Sequence, residues 1–264
     1  MGPTPQEETG VSDILIRNDD AITVIALNRV PKKNSITSAM YAQLAQALGA
    51  AARDPAVRCV LIHGHETIFS AGNDIGDFLN DPPNADDAPV FQFVTAVATF
   101  AKPLVAAVCG PAVGIGTTML MHCDLVYAGE NARFSMPFVN LGLCPEAASS
   151  LLVPVRFGWQ RAAQMLLLGE SIDAAQALDW GLVNRVLEPS QVLDQALASA
   201  RTLASKPLAS LIETKRLMKA ASTSAINTAM ADEAVSFRRM LREPAAIEAF
   251  SAFTERRKPD FSRF

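Results

Sequence analysis

The chain is short of the features that most quickly betray a function. Of its 264 residues only four are cysteine, Cys59, Cys109, Cys123 and Cys144, and each stands singly among apolar neighbours. That spacing excludes a paired-cysteine zinc site and a secreted disulfide scaffold, and it fits a reducing, intracellular and so cytoplasmic setting. Charge is sparse, at 19% of residues, with a formal net charge of -4. The basic residues are scattered, so nucleic acid finds no electrostatic stripe to follow. Histidine is scarce as well: His63, His65 and His122. None shares a helix face with an Asp or Glu at ligand spacing, so no metal site is expected. The N-terminal stretch lacks the basic segment followed by an apolar one that marks a secretory leader. No internal repeat and no low-complexity tract is present.

One stretch is unusual for its missing charge. Residues 103–123, PLVAAVCGPAVGIGTTMLMHC, hold no Asp, Glu, Lys or Arg, and their length raises the question of a membrane span. Two prolines and three glycines interrupt the run, and irregular glycine-rich backbone facing lipid would leave polar groups unpaired. A buried strand, a tight loop and a helix start are expected instead, with no membrane association.

What is present is a large apolar fraction, 50% of the chain, enough for one sizeable domain with a buried core. DILIRNDDAITVIALNR reads as a hairpin around Asn18, Asp19 and Asp20. A hydroxyl-capped helix follows from Thr37 or Ser38 through Ala52, with Met40, Leu44, Ala47 and Leu48 on one face. VRCVLIHG is a buried strand, and IFSAGNDIGDFLNDPPNADDAP a surface loop rich in turn formers and acids. A helix from Val90 to Ala101 ends at the Lys102-Pro103 break. LVAAV is a strand, CGPAVGIG a tight loop, TTMLMH a helix start and DLVYAG another strand. Strands alternating with helices predict an α/β fold. Beyond Glu146 the pattern turns helical, over 146–156, 160–168, 173–180, 191–204, 207–221 and 225–251. The chain thus divides into a core over residues 1–200 and a helical C-terminal cap or oligomerisation region over 201–264.

The glycines Gly110, Gly114 and Gly116 invite a nucleotide reading that fails in detail. No Gly-Lys-Ser/Thr follows, and Met119 stands where a third Rossmann glycine belongs. Such a loop can instead bring backbone close to a ligand and aim N–H groups of a helix start at developing negative charge. The loop at AGND has the same freedom through Gly72. Two such donors converging make an oxyanion hole, although either loop alone also reads as a plain turn. A Ser-His-Asp triad has no Gly-x-Ser-x-Gly elbow to support it.

Glu146, in LGLCPEAASS, admits two readings. Pro145 suits the first helical position, which makes Glu146 an ordinary acidic residue of a helix's first turn. Its neighbours Leu143, Cys144, Ala147 and Ala148 are apolar or tiny, which makes it a carboxylate in a dry pocket, poised as a base.

FSAGNDIGDF, KPLVAAVCGPAVGIGTTMLMHCDLVYAGENARFSMP and LGESIDAAQALDWGLVNRV, in that order, resemble the enoyl-CoA hydratase/isomerase family, the crotonases, over residues 12–220. The resemblance implies a spiral core of ββα units, a helical C-terminal region, homotrimers or dimers of trimers, and an acyl-CoA thioester as substrate in fatty acid metabolism. Coenzyme A is then part of the substrate and no separate cofactor is implied. The family's two thioester-binding N–H groups map onto Asn73 and Ile115. Ala71, Gly72, Asp74, Ile75, Gly114, Thr118 and Phe138 are implied to line the substrate site.

Hydratases of the family carry two glutamates at positions that here read Thr118 and Phe138, so hydration of a 2-enoyl thioester is not expected. MPFVNLGLCPEAASS is similar to the Δ3,Δ2-enoyl-CoA isomerase branch, whose single catalytic glutamate falls on Glu146. Ala147 stands where that branch often has glycine. Thr118 and Phe138 are then expected to exclude water and hold the acyl chain, Phe138 reading equally well as core, and Asp74 to cap a turn. A thioester hydrolase, a C–C lyase and a non-catalytic acyl-CoA-binding protein are the alternatives on the same fold, because one fold hosts many reactions.

Overall fold

The structure, a computed structural model, describes residues 12–80, 82, 83, 85 and 87–264. The leader reading of the N-terminus concerns residues outside these. The hairpin around Asp20 is present: β1 (Ile14–Asp19) and β2 (Ile22–Leu27) pair antiparallel. Asp20 takes φ +53°, a left-handed conformation that Asp tolerates better than most residues.

Helix α1 (Ser38–Arg53) is capped by Thr37, whose hydroxyl accepts from the Met40 N–H. Strand β3 (Cys59–His63), helix α2 (Ile75–Asn80), helix α3 (Pro89–Thr99) and strand β4 (Leu104–Val108) follow. The uncharged stretch continues through β5 (Pro111–Val113), the short helix α4 (Ile115–Thr118) and a 3-10 turn over Met119–His122. The loop read over CGPAVGIG therefore contains a strand. Among the described residues no helix is long and apolar enough to cross a bilayer.

Next come β6 (Leu125–Gly129), β7 (Arg133–Ser135), α5 (Ser149–Phe157), α6 (Trp159–Leu166), β8 (Ile172–Asp173), α7 (Ala174–Asp179) and β9 (Arg185–Leu187). The chain closes with α8 (Pro189–Ala204), α9 (Leu208–Ala220), α10 (Thr223–Met240) and α11 (Pro244–Thr254). The single helix read over 225–251 is two, because Pro244 has no N–H to continue a helix and instead opens α11.

The strands form a six-stranded sheet in the order β1-β2-β3-β4-β6-β9 and a three-stranded sheet in the order β5-β7-β8. Only the β1–β2 pair of the larger sheet is antiparallel; its other pairs are parallel. This is a mixed α/β fold with a largely parallel sheet. Alternation along the strands sorts side chains into two cores. Ile25, Val60, Ile62, Leu104, Ala106 and Val108 face the main core with α1 and α3. Val24, Leu61, Val105 and Ala107 face Val192, Ala196 and Ala200 of α8. Strand β4 is buried at every residue, which explains its uninterrupted apolar sequence better than a bilayer does.

The C-terminal helices are tied back by buried lysines. Lys215 of α9 donates to the Lys102 carbonyl at 2.9 Å and to Asp124 at 2.7 Å. Lys102 donates to the Ala51 and Asp54 carbonyls, both at 2.7 Å, at the end of α1.

Candidate active site

Two glycine turns and one strained turn build the site. Ser70 and Ala112 form a parallel bridge, with the Val113 N–H donating to the Ser70 carbonyl at 2.9 Å, so the AGND loop runs beside β5. Gly72 has φ +86°, and a Cβ there would lie 2.9 Å from the Val113 carbonyl oxygen. Only glycine permits that approach. Gly114, φ +54°, turns the chain again and opens α4. Each positive-φ glycine therefore immediately precedes one of the two N–H groups in question.

Among the described residues neither the Asn73 nor the Ile115 N–H has a hydrogen-bond partner. Their neighbours are engaged: Asp74 N–H donates to the Ile36 carbonyl at 2.9 Å, and Gly114 N–H to the Ser135 carbonyl at 2.9 Å. Thr117 and Thr118 close onto the Gly114 carbonyl at 2.8 and 2.9 Å. The Asn73 side chain is fixed by Tyr41, whose hydroxyl donates to its carboxamide oxygen.

Glu146 does not stand in the first turn of a helix. Helix α5 begins at Ser149, and Ala147 and Ala148 hold φ +59° and +56° between the carboxylate and the helix. The glycine often found at position 147 in the isomerase branch thus marks a left-handed position that alanine occupies here, at about 1–2 kcal/mol per residue. Glu146 is 8% exposed. One oxygen accepts a hydrogen bond from the Thr118 hydroxyl; the other, Oε2, is buried and has no partner. Burial pushes the carboxyl pKa up to about 8, with the negative Glu233 adding to the rise and the Thr118 bond opposing it.

Two cavities meet at Asn73 and Phe237. A cleft of about 530 Å³ is lined by Ala71, Gly72, Asn73, Asp74, Ile75, Gly114, Ile115 and Phe138, with Lys32 and Lys33 at its side. A chamber of about 300 Å³ is lined by Asn73, Val94, Glu146, Met230, Glu233 and Phe237. Nine of the ten residues singled out in the sequence line one cavity or the other. Thr118 lines neither: it is fully buried and holds Glu146 by a hydrogen bond rather than offering apolar bulk to an acyl chain. Asp74 is a turn residue, accepting from the Asp77 N–H at 3.1 Å and paired with Arg29 at 2.6 Å. Those partners hold its carboxyl below the ordinary range against the opposing effect of burial.

Sequence reasoning missed Tyr41, the ring of Phe237 and the carboxylate of Glu233. Ile226, Met230, Glu233 and Phe237 recur at helical spacing, so an acid on an apolar stripe was the available signal for Glu233. Among the described residues no group of three or more His, Cys, Asp or Glu side chains is placed to hold a metal ion.

Paired glycine turns, two unpartnered N–H groups and a dry carboxylate define an acyl-transfer or enolate-forming type of site. Residues 17–263 match the enoyl-CoA hydratase/isomerase family model, and the chain belongs to that family. It is an acyl-CoA-processing enzyme with the crotonase fold. The chain is 33% identical to the 2,3-dehydroadipyl-CoA hydratase of Escherichia coli, over 95% of this chain and 99% of that protein. It is also 33% identical to human enoyl-CoA delta isomerase 2, over 87% of this chain but 60% of the longer human protein. The solved structure of OdaA from Pseudomonas aeruginosa superposes with a TM-score of 0.90 at 47% identity, covering 92% of this chain and 99% of that one.

Proposed function

We propose that the protein is a Δ3,Δ2-enoyl-CoA isomerase, moving the double bond of a 3-enoyl thioester to the 2-position with Glu146 as the single base. The observation that carries this reading is the unpartnered Oε2 of Glu146 in a chamber bordered by Asn73. The C2 proton of a 3-enoyl thioester is acidified by the carbonyl and by the adjacent double bond. One carboxylate near C2 and C4 suffices to remove that proton and return it at C4.

The dienolate formed between the two transfers carries its charge largely on the thioester oxygen. The N–H groups of Asn73 and Ile115 would bind that oxygen more strongly than the ground-state carbonyl, and each such donor is worth about 2.7–4 kcal/mol in the transition state. A second carboxylate for activating water is lacking at Thr118 and Phe138. Glu233 does border the chamber, but both its oxygens already accept backbone N–H groups. This argues against hydration.

Phe138, 5% exposed at the cleft wall, would hold the acyl chain. The family resemblance also supports a homotrimer or dimer of trimers, and Val155, Trp159 and Leu167, exposed by 75%, 69% and 67%, are suited to contacts between copies. Incubation with 3-hexenoyl-CoA and, separately, 2-hexenoyl-CoA tests the proposal. Conversion of the first to the second, with no hydroxyacyl product and no free thiol, is the expected result. Hydration of the second, or release of coenzyme A from either, would replace the isomerase reading.

A further inference from the structure

Glu233 is a buried carboxylate that the reaction above leaves without a task. It lies on α10, 6% exposed, and reaches across to the turn between Glu146 and α5. One oxygen accepts from the Ala148 N–H at 2.6 Å and the other from the Ser150 N–H at 2.8 Å. On the far side of the same turn His122 Nε2–H donates to the Ala147 carbonyl at 2.8 Å. Burial lowers that imidazole's pKa to about 4, so the ring is neutral and the carbonyl requires its proton on Nε2. The turn is closed within itself by Ser149, whose N–H and hydroxyl both donate to the Glu146 carbonyl, at 3.1 and 2.6 Å.

Ala147 and Ala148 do not adopt left-handed backbone unaided. A pair of them persists where surrounding bonds over-determine the conformation, and here an acceptor on one side and a donor on the other do so. Glu233 also borders the chamber that Glu146 borders. The other titratable groups facing Glu146 are Tyr41 of α1 and Cys144 on its own loop. Burial raises the Tyr41 hydroxyl well above its ordinary value and pushes the Cys144 thiol up to about 11, so both are neutral. Burial raises the Glu233 carboxyl as well, against the lowering effect of the Ser150 and Ala148 N–H groups that it accepts from; once ionised, it is the charged neighbour.

We propose that Glu233 is a positioning residue for Glu146: from α10 it clamps the strained turn that carries Glu146 and sets a second carboxylate beside it. The inference rests on the reading of Glu146 as the base. The clamp joins the C-terminal helices to the candidate site, because the same helix supplies Met230 and Phe237 to the chamber wall. The charge opposes ionisation of Glu146 and so strengthens it as a base.

The test is a titration of the Glu146 carboxyl carbon by NMR in the full chain labelled with carbon-13 glutamate, the resonance being assigned by its loss in Glu146→Gln. In Glu233→Gln, which keeps the shape but removes the charge and sets an amide N–H against one backbone donor, the Glu146 midpoint should move to lower pH. With 3-hexenoyl-CoA as substrate at a pH above 8, where Glu146 is ionised in both proteins, kcat should fall at least about tenfold while KM stays within about threefold, and Glu233→Asp should restore the midpoint. If Glu233→Gln does not fold, Ala148→Gly is added, since glycine holds positive φ without the clamp. The midpoint decides: one that stays in place overturns the inference, even if the melting temperature drops. A wild type that leaves 3-hexenoyl-CoA unchanged sinks the isomerase reading instead and leaves the titration to judge Glu233.

Discussion

At the scale of single residues, Glu146 sets a conflict between stability and reactivity. Its carboxyl is raised from 4.5 in an unfolded chain to about 8 in the fold, mainly by burial. The folded state therefore holds a proton that the unfolded state has lost. Its contribution to stability is fully present below about 4.5 and is lost as pH rises through about 8, with a slope approaching ~1.4 kcal/mol per pH unit between the two. A base must be ionised, so kcat/KM for 3-hexenoyl-CoA should rise about tenfold per unit below pH 8 and level off above it. Thermal melts of wild type and Glu146→Gln across pH 5 to 9 check the stability half, with the wild type losing ground and the variant lacking that loss. A wild-type melting curve parallel to that of the variant would mean that Glu146 is not buried as described.

At the scale of elements, the legible parts of the site were those with a backbone reason. Gly72 and Gly114 stand out because their positive φ values are ones that few other residues accept, and each directs the N–H that follows it. Gly72→Ala should push the AGND loop off β5, since the new Cβ would sit 2.9 Å from the Val113 carbonyl. Activity should fall about 100-fold or more, the worth of a displaced oxyanion donor. Gly158→Ala, also at positive φ but with open space around it, should lose stability alone. Comparable activity loss in both variants would remove the oxyanion role from the AGND loop. The turn at Ala147 and Ala148 was illegible, because alanine carries no sign of left-handed backbone. Pro145 therefore points to a helix start at Glu146, under either reading of its carboxylate, where the structure has a left-handed turn, and the apolar bulk expected of Thr118 is instead a hydrogen-bond donor. Glu233, next to Asp232, passes for a solvated helix charge until its place on an apolar stripe is noticed.

At the scale of the whole molecule, the alternation of strands and helices foretold the α/β class, and the uncharged stretch over residues 103–123 resolved into β4, β5 and α4 for the reason its prolines and glycines supplied. What periodicity does not carry is the long-range closure: Lys215 reaching Lys102 and Asp124, and α10 reaching the Glu146 turn, are contacts between residues 83 or more positions apart. Val155, Trp159 and Leu167 are exposed apolar side chains, suited to contacts in the proposed trimer. Light scattering should give three or six times the 28.2 kDa chain mass, and replacing Trp159 and Leu167 by Ser and Asn should lower it. A monomeric wild type would contradict the trimer proposal.

The role of Glu146 as the base is decided by comparing wild type and Glu146→Gln for turnover of 3-hexenoyl-CoA and, by calorimetry, for binding of saturated hexanoyl-CoA. With Glu146 as the base, the variant should bind within about threefold of wild type while isomerisation falls roughly 100- to 10,000-fold, the range a positioned general base supplies. A variant that still isomerises within tenfold of wild type would contradict that role.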